Sequence, residues 1–284
     1  MRKLAILLSF LGYLCHAQEQ GTSFSEALKS KKADVTFIYK KSNPNYDFNN
    51  GLVVENQLGA ISGLLVDVMN EFSLYVAEKY GIDMKPKYVG METSFKLFTQ
   101  AIADGNNGVF GLGSHSITEE RKKFLQFSPA YIKNVSVLVS HSSVPTLSGL
   151  NRLAEEFDDK TALTINSTTY HRRFEALKET SYPNMKISFE KNIFELLPAI
   201  ASNSNTYGFV DLIYYLRYLK LGNPIKRHPV GDLRGDEYGI TMPLSNDWAP
   251  IMKEFFDSGF LKSPQYRQIV IDNLGKEALR MISL

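Results

Sequence analysis

Along the chain, short apolar runs alternate with longer segments in which apolar residues recur every three or four positions. The first kind reads as buried strands and the second as amphipathic helices. Val35-Thr36-Phe37-Ile38-Tyr39, β-branched and aromatic, predicts a first strand. After Gly63, apolar residues at Leu65, Val68, Phe72 and Val76 predict a helix that Gly81 ends. Lys87-Tyr88-Val89 reads as a short strand. Thr93 or Ser94 caps a helix carrying Phe95, Phe98 and Ile102 on one face, and Gly108-Val109-Phe110-Gly111 is the next strand. The alternation continues with strands at Val135–Ser140, Ala162–Ile165, Lys186–Phe189 and Tyr207–Val210. Helices are expected over Thr146–Phe157, about Tyr170–Lys178, Ile193–Ala201, and through Tyr214, Tyr215 and Tyr218 to Gly222. Arg227–Glu237 is polar and turn-rich, and Tyr238–Pro243 is a late strand. Asn246 caps a helix carrying Trp248, Ile251, Phe255 and Phe256, and Pro264 stands at the favoured first position of the last helical region. Strands alternating with helices predict an α/β fold with parallel sheets, whose ligands bind beyond the carboxyl ends of the strands.

Two stretches fall outside the alternation. Gln18–Lys32 is polar and reads as a linker or short helix, and Ser42–Gly51 is a turn-rich loop. In the latter, Tyr46 and Phe48 either cap a ligand or pin the loop to the body. At the start, Met1-Arg2-Lys3 is a basic n-region. Leu4–Leu14 is an apolar run too short to span a bilayer, and Cys15-His16-Ala17 supplies a cleavage site. Residues 1–17 are therefore predicted to be a signal peptide that directs export of the chain, with lipidation at Cys15 as the second reading.

Removing that leader changes the charge picture. The formal charge of +2 includes Arg2 and Lys3, so the mature chain is near neutral and nucleic acid is not an expected partner. Cys15 is the single cysteine, so a mature chain has no disulfide, no cysteine–zinc site and no thiol nucleophile. Hydrophobic residues at 44% and charged residues at 22% describe a soluble globular protein, long enough for one large domain or two lobes. No metal or organic cofactor is expected.

The candidate chemistry lies at strand ends. Ser114 and Ser116 alternate on one side of an extended segment, so both hydroxyls can face one ligand. Thr118, followed by Glu119 and Glu120, reads as a helix N-cap whose free N–H groups favour an anion. Arg121 adds a guanidinium that can grip a carboxylate with two parallel bonds. By itself this string also fits a solvated strand-to-helix loop with a surface arginine. Asn166-Ser167-Thr168-Thr169-Tyr170 repeats the strand, hydroxyl-rich turn and helix start, as a second anion site or a plain cap. Asp211, at a strand end, binds a ligand cation or caps the next helix.

In order and spacing these pieces resemble the type II periplasmic substrate-binding proteins, specifically solute-binding protein family 3, the polar amino-acid binders. The matching residues are Gly63-Leu64-Leu65-Val66-Asp67-Val68, Ser114 to Arg121, Phe127-Ser128-Pro129-Ala130-Tyr131, Asn166 to Tyr170, Gly208 to Asp211 and Tyr238 to Pro243. The resemblance spans roughly Val35 to Gly275. It implies two α/β lobes joined by two hinge crossings, lobe 1 being 33–131 plus 238–284 and lobe 2 being 132–237. It implies that Arg121 holds a ligand α-carboxylate, with Ser114 and Ser116 from lobe 1 and Ser167 and Thr168 from lobe 2. It gives Asp211 the α-ammonium, and Tyr39 and Phe95 complete the expected contacts. Partners would be a small amino acid or similar carboxylate and the permease of an ABC-type transporter, with the chain a monomer and not an enzyme.

Departures from the family pattern concern the ligand's side-chain end. Lys40 and Lys41 stand where many members have an acid, Leu65 replaces a second acid, and Asn166 replaces a glycine. Lys40, if it faces the cleft, favours an acidic or polar ligand; otherwise the two lysines are simply solvated. Two other functions fit the same fold. One is a dehydratase-like enzyme, for which His115 and His171 are the candidate acid–base groups. Period-2 alternation points His115 away from Ser114 and Ser116, which favours a structural role. The other is a ligand-sensing accessory protein.

Overall fold

The computed structural model of the 284-residue chain describes residues 20–41, 51–92, 95–166 and 168–282. The leader with Cys15, the loop with Tyr46 and Phe48, the cap at Thr93 or Ser94, and Ser167 lie outside the described residues.

The first body is built by α1 (Phe24–Ser30), β1 (Lys32–Lys40), β2 (Val54–Glu55), β3 (Ile61–Ser62), α2 (Leu64–Tyr80), β4 (Asp83–Met91), α3 (Phe95–Ala103), β5 (Val109–Leu112) and β6 (Leu125–Phe127). The second is built by β7 (Ile132–His141), α4 (Leu153–Glu156), β8 (Thr161–Ile165), α5 (Thr169–Thr180), β9 (Lys186–Glu190), α6 (Ile193–Ser202), β10 (Thr206–Asp211), α7 (Leu212–Lys220) and β11 (Ile225–Tyr238). The chain then returns through β12 (Thr241–Pro243), α8 (Ala249–Asp257), α9 (Pro264–Leu274) and α10 (Ala278–Met281).

Two five-stranded sheets result, in the orders β4-β1-β5-β12-β6 and β11-β7-β10-β8-β9. β1 runs parallel to β4 and β5, and β8 parallel to β9 and β10, as the strand–helix alternation requires. The chain crosses between the sheets twice, at Tyr131–Ile132 and after Tyr238. The two crossing strands, β7 and β11, pair antiparallel along most of their length. The junction is clamped: the Tyr131 N–H donates to the Tyr238 carbonyl at 2.9 Å, and the Tyr266 hydroxyl donates to the Tyr131 carbonyl.

Predicted helices form where apolar spacing and caps agree. α2 buries Leu65, Val68, Phe72 and Val76 and ends at Gly81, whose φ of 66° is the left-handed conformation glycine adopts at least cost. Ser263 caps α9 by accepting from the Tyr266 N–H, with Pro264 at the first helical position. Within the polar N-terminal stretch, Ser23 and Glu26 form a reciprocal capping box that fixes α1. α1 packs on the first body through Phe24, whose ring lies 5.1 Å from that of Trp248.

Three expectations are corrected. Arg227–Glu237 is not a loop but most of β11, drawn into the second sheet by pairing with β7 through two register shifts. The helix expected over Thr146–Phe157 shrinks to one 3-10 turn, Leu150–Arg152, and the four residues of α4. Thr118 starts no α-helix. Its hydroxyl accepts from the Arg121 N–H at 3.2 Å, but only the 3-10 turn Arg121–Lys123 follows before β6 pairs with β12. So short a turn carries no useful dipole, and the anion site expected from a helix start at Thr118 is lost.

Candidate functional site

A cleft of about 400 Å³ opens between the two sheets. Six of the eight predicted ligand contacts line it: Phe95, Ser114, Ser116, Arg121, Thr168 and Asp211. Ser167 lies outside the described residues. Tyr39 does not line the cleft. Its side chain is buried in the first body, where its hydroxyl donates to Glu55 at 2.8 Å. Burial, then that hydrogen bond, raises its phenol well above the usual range. Lys41 bridges to the same Glu55 at 3.3 Å, whereas Lys40 is exposed, and neither lysine lines the cleft.

The wall carrying Arg121 is held by backbone. After β5 the chain runs extended, so Ser114 and Ser116 turn towards the cleft while His115 turns inward and is fully buried. The segment is pinned to the second crossing strand by the Ile117 N–H, which donates to Glu237 O at 2.8 Å, and by a bridge between Ser116 and Tyr238. Arg121 Nη1 donates to Ser116 O at 2.9 Å, and its guanidinium carbon sits 5.6 Å from the Phe95 ring centroid. One edge of the planar group is thus fixed. Among the described residues, no carboxylate lies within ion-pair distance of it.

His115 sits between Phe95 and Phe98, with ring centroids 4.7 and 5.0 Å away. The Thr99 hydroxyl donates to Phe95 O, so at its 3.0 Å contact with His115 Nε2 it must accept, which makes the ring a neutral Nε2–H tautomer. Burial first, and the charge of Arg121 second, hold its pKa down to about 3. His171 caps no reaction site either: it does not line the cleft and pairs with Glu175 at 3.3 Å. Neither histidine lines the cleft.

The opposite wall comes from the second sheet. Thr168 caps α5, its hydroxyl accepting from the His171 N–H at 3.2 Å and donating to Ile165 O at 2.7 Å. We expect Thr168→Ala to lower stability by about 1 kcal/mol, read as a lower urea midpoint at unchanged slope. Asp211 makes no side-chain cap to α7; instead it accepts from the Tyr170 hydroxyl. Beside it in the sheet, Ser136 pairs with Asp211 in register. Arg173 stacks on Phe209 at 3.9 Å and donates to Ser136 Oγ at 3.3 Å and Gly231 O at 2.9 Å.

Several lining residues escape the sequence reading: Ser136, Ile165, Ile193, Leu196, Phe209, Tyr214, Leu233 and Tyr238. Phe209 was within reach, since it lies two positions before Asp211 and therefore on the same face of β10. Ser136 and Leu233 become cleft residues only through the β7–β10 and β7–β11 pairings.

Comparison with protein-family models finds no match, and neither does comparison with curated proteins. Among solved structures, the second substrate-binding domain of Lactococcus lactis GlnP in open conformation matches with TM-score 0.65 at 16% identity, over 85% of this chain and 95% of that one. The unliganded, open L-cystine solute receptor of Neisseria gonorrhoeae matches with TM-score 0.62 at 16% identity, over 90% and 98%. A Streptococcus pneumoniae ABC uptake transporter binding protein with bound histidine matches with TM-score 0.58 at 19% identity, over 89% and 96%. At this identity the likeness is one of fold: two α/β lobes with two crossings, the type II periplasmic-binding arrangement. Among the described residues no helix is long and apolar enough to cross a membrane, and no cluster of potential metal ligands occurs.

Proposed function

We propose that this chain is a periplasmic solute-binding protein that captures an amino acid in the inter-sheet cleft for the permease of an ABC-type transporter. The observation that carries the reading is the placing of opposite charges on opposite walls of one cleft, Arg121 from the first body and Asp211 from the second. A zwitterion satisfies both. Arg121, with Ser114 and Ser116, takes the α-carboxylate; Thr168 approaches it from the second wall; Asp211 takes the α-ammonium. The lobes that close are 33–131 plus 238–284 and 132–237, acting as a monomer. Ligand favours closure because it contacts both walls together only when they are near. The reading is supported by neighbours of the same fold described as a histidine-bound transporter protein and a cystine receptor.

A thermal-shift screen over the amino acids tests it. A bound ligand at about 100 times its Kd adds about 2.7 kcal/mol, which raises Tm by about 5 °C for a chain of this size. Failure of every amino acid to raise Tm at millimolar concentration overturns the assignment.

A further inference from the structure

Beside the two charged groups and the hydroxyls, the cleft has an apolar lining, which includes Ile165, Ile193, Leu196, Phe209, Tyr214 and Leu233. Leu233 is 54% exposed there, an apolar surface that a bound apolar group would cover. Among the described residues, Arg121 and Asp211 are the only charged side chains that line the cleft. Just behind the lining, Arg173 stacks on Phe209 and donates to Ser136 Oγ and the Gly231 carbonyl, and Asp232 pairs with Arg227.

Resting on the amino-acid reading above, we infer that the cleft selects an uncharged, apolar side chain, aromatic or branched aliphatic. Among the described lining residues a side-chain ammonium meets no carboxylate besides Asp211, and a carboxylate meets only Arg121 and, behind the wall, Arg173 with donors already bonded to Ser136 and Gly231, so desolvation of either is poorly compensated. A phenyl or isobutyl group instead gains in proportion to the apolar area it buries. An aromatic ring can also pack edge to face on Tyr214, which lines the cleft. Among the described lining residues Asp211 is the one carboxylate, so a basic side chain has no second acid to meet there.

Calorimetry with L-phenylalanine, L-leucine, L-alanine, L-lysine and L-glutamate tests the inference. Phenylalanine or leucine should bind at least about 100-fold more tightly than lysine or glutamate, and well ahead of alanine. Lysine or glutamate binding as tightly, or alanine matching phenylalanine, overturns the side-chain assignment and leaves the head-group reading standing. Failure of all five, and of the remaining amino acids, overturns both. A second arm uses Ile193→Asp, which places an acid at the first position of α6, where a helix tolerates it well. With its melting point retained, this variant should lose about tenfold or more for leucine while gaining affinity for lysine. An unchanged ranking of the two ligands counts against the wall as the selector.

Discussion

Arg121→Ala is expected to weaken amino-acid binding by about 2–5 kcal/mol, roughly 30- to 5,000-fold. The size follows from what is left behind: a ligand carboxylate enclosed in the cleft with no cation to answer it. Little else should change. The guanidinium is half-buried and holds one carbonyl, that of Ser116, so Tm should move by less than about 2 °C. Arg121→Lys keeps the charge but loses the planar fork, and should fall between wild type and alanine. A deaminated ligand such as 3-phenylpropanoate separates the two ends. Its weaker binding should depend on Arg121 and be indifferent to Asp211→Asn, whereas phenylalanine should respond to both. Titration calorimetry giving the same Kd for phenylalanine with and without the Arg121 side chain would remove Arg121 from the site.

Acid should destabilise the fold well above the range in which carboxylates titrate, because two histidines are buried in neutral form. His115 is the Nε2–H tautomer held between Phe95 and Phe98. His228, also fully buried, accepts the Leu147 N–H at Nδ1 (3.0 Å), so its proton is on Nε2, 2.7 Å from the Ser140 hydroxyl. Protonating Nδ1 would break the Leu147 bond. Burial, then Lys226, lowers the His228 pKa to about 4, against an opposing pull from Glu156. The ordinary value is 6.5 for both rings, and the folded pKa values lie below it. Below pH 6.5 the unfolded chain therefore takes up protons that the folded chain refuses. Stability is full above that pH and falls as pH drops towards 4 and 3. By pH 5 the loss amounts to about 2 kcal/mol for each histidine. Urea midpoints measured between pH 7.5 and 5 should fall accordingly, and His115→Phe, which keeps the ring stack, should remove about half the slope. A flat profile for the wild-type chain would mean that these rings are not buried neutral.

Much of the fold was legible because burial imposes a period. α2 and the strands around Phe37 and Phe110 are called for by spacing alone, and the structure has them there. The charged end of the cleft was legible for a different reason: a polar residue at a strand end faces the place where ligands bind, and Ser114, Arg121, Thr168 and Asp211 are such residues. What stayed hidden depends on partners distant in sequence. β11 contains Pro229, Gly231 and Gly235, which read as turns, yet β7 supplies enough pairing to hold them in a bulged strand. Thr118 has a capping residue's chemistry without a helix to cap, since Leu125–Phe127 is claimed by β12. Tyr39 sits at a strand end as expected, but Glu55 attracts its hydroxyl into the body and away from the cleft. The apolar wall carried no signal, because a leucine facing a ligand and a leucine facing a core look alike in a sequence.

The single tryptophan gives these experiments a division of labour. Trp248 is fully buried in the first body, its rings beside Phe24, Phe72 and Phe110 and its indole N–H donated to Thr22 O at 2.9 Å. The cleft is lined instead by Tyr170, Tyr214 and Tyr238. Indole fluorescence excited at the red edge should therefore report unfolding of the first body and stay silent on ligand addition, while tyrosine emission carries the binding signal. One sample thus yields two spectrally separate readouts.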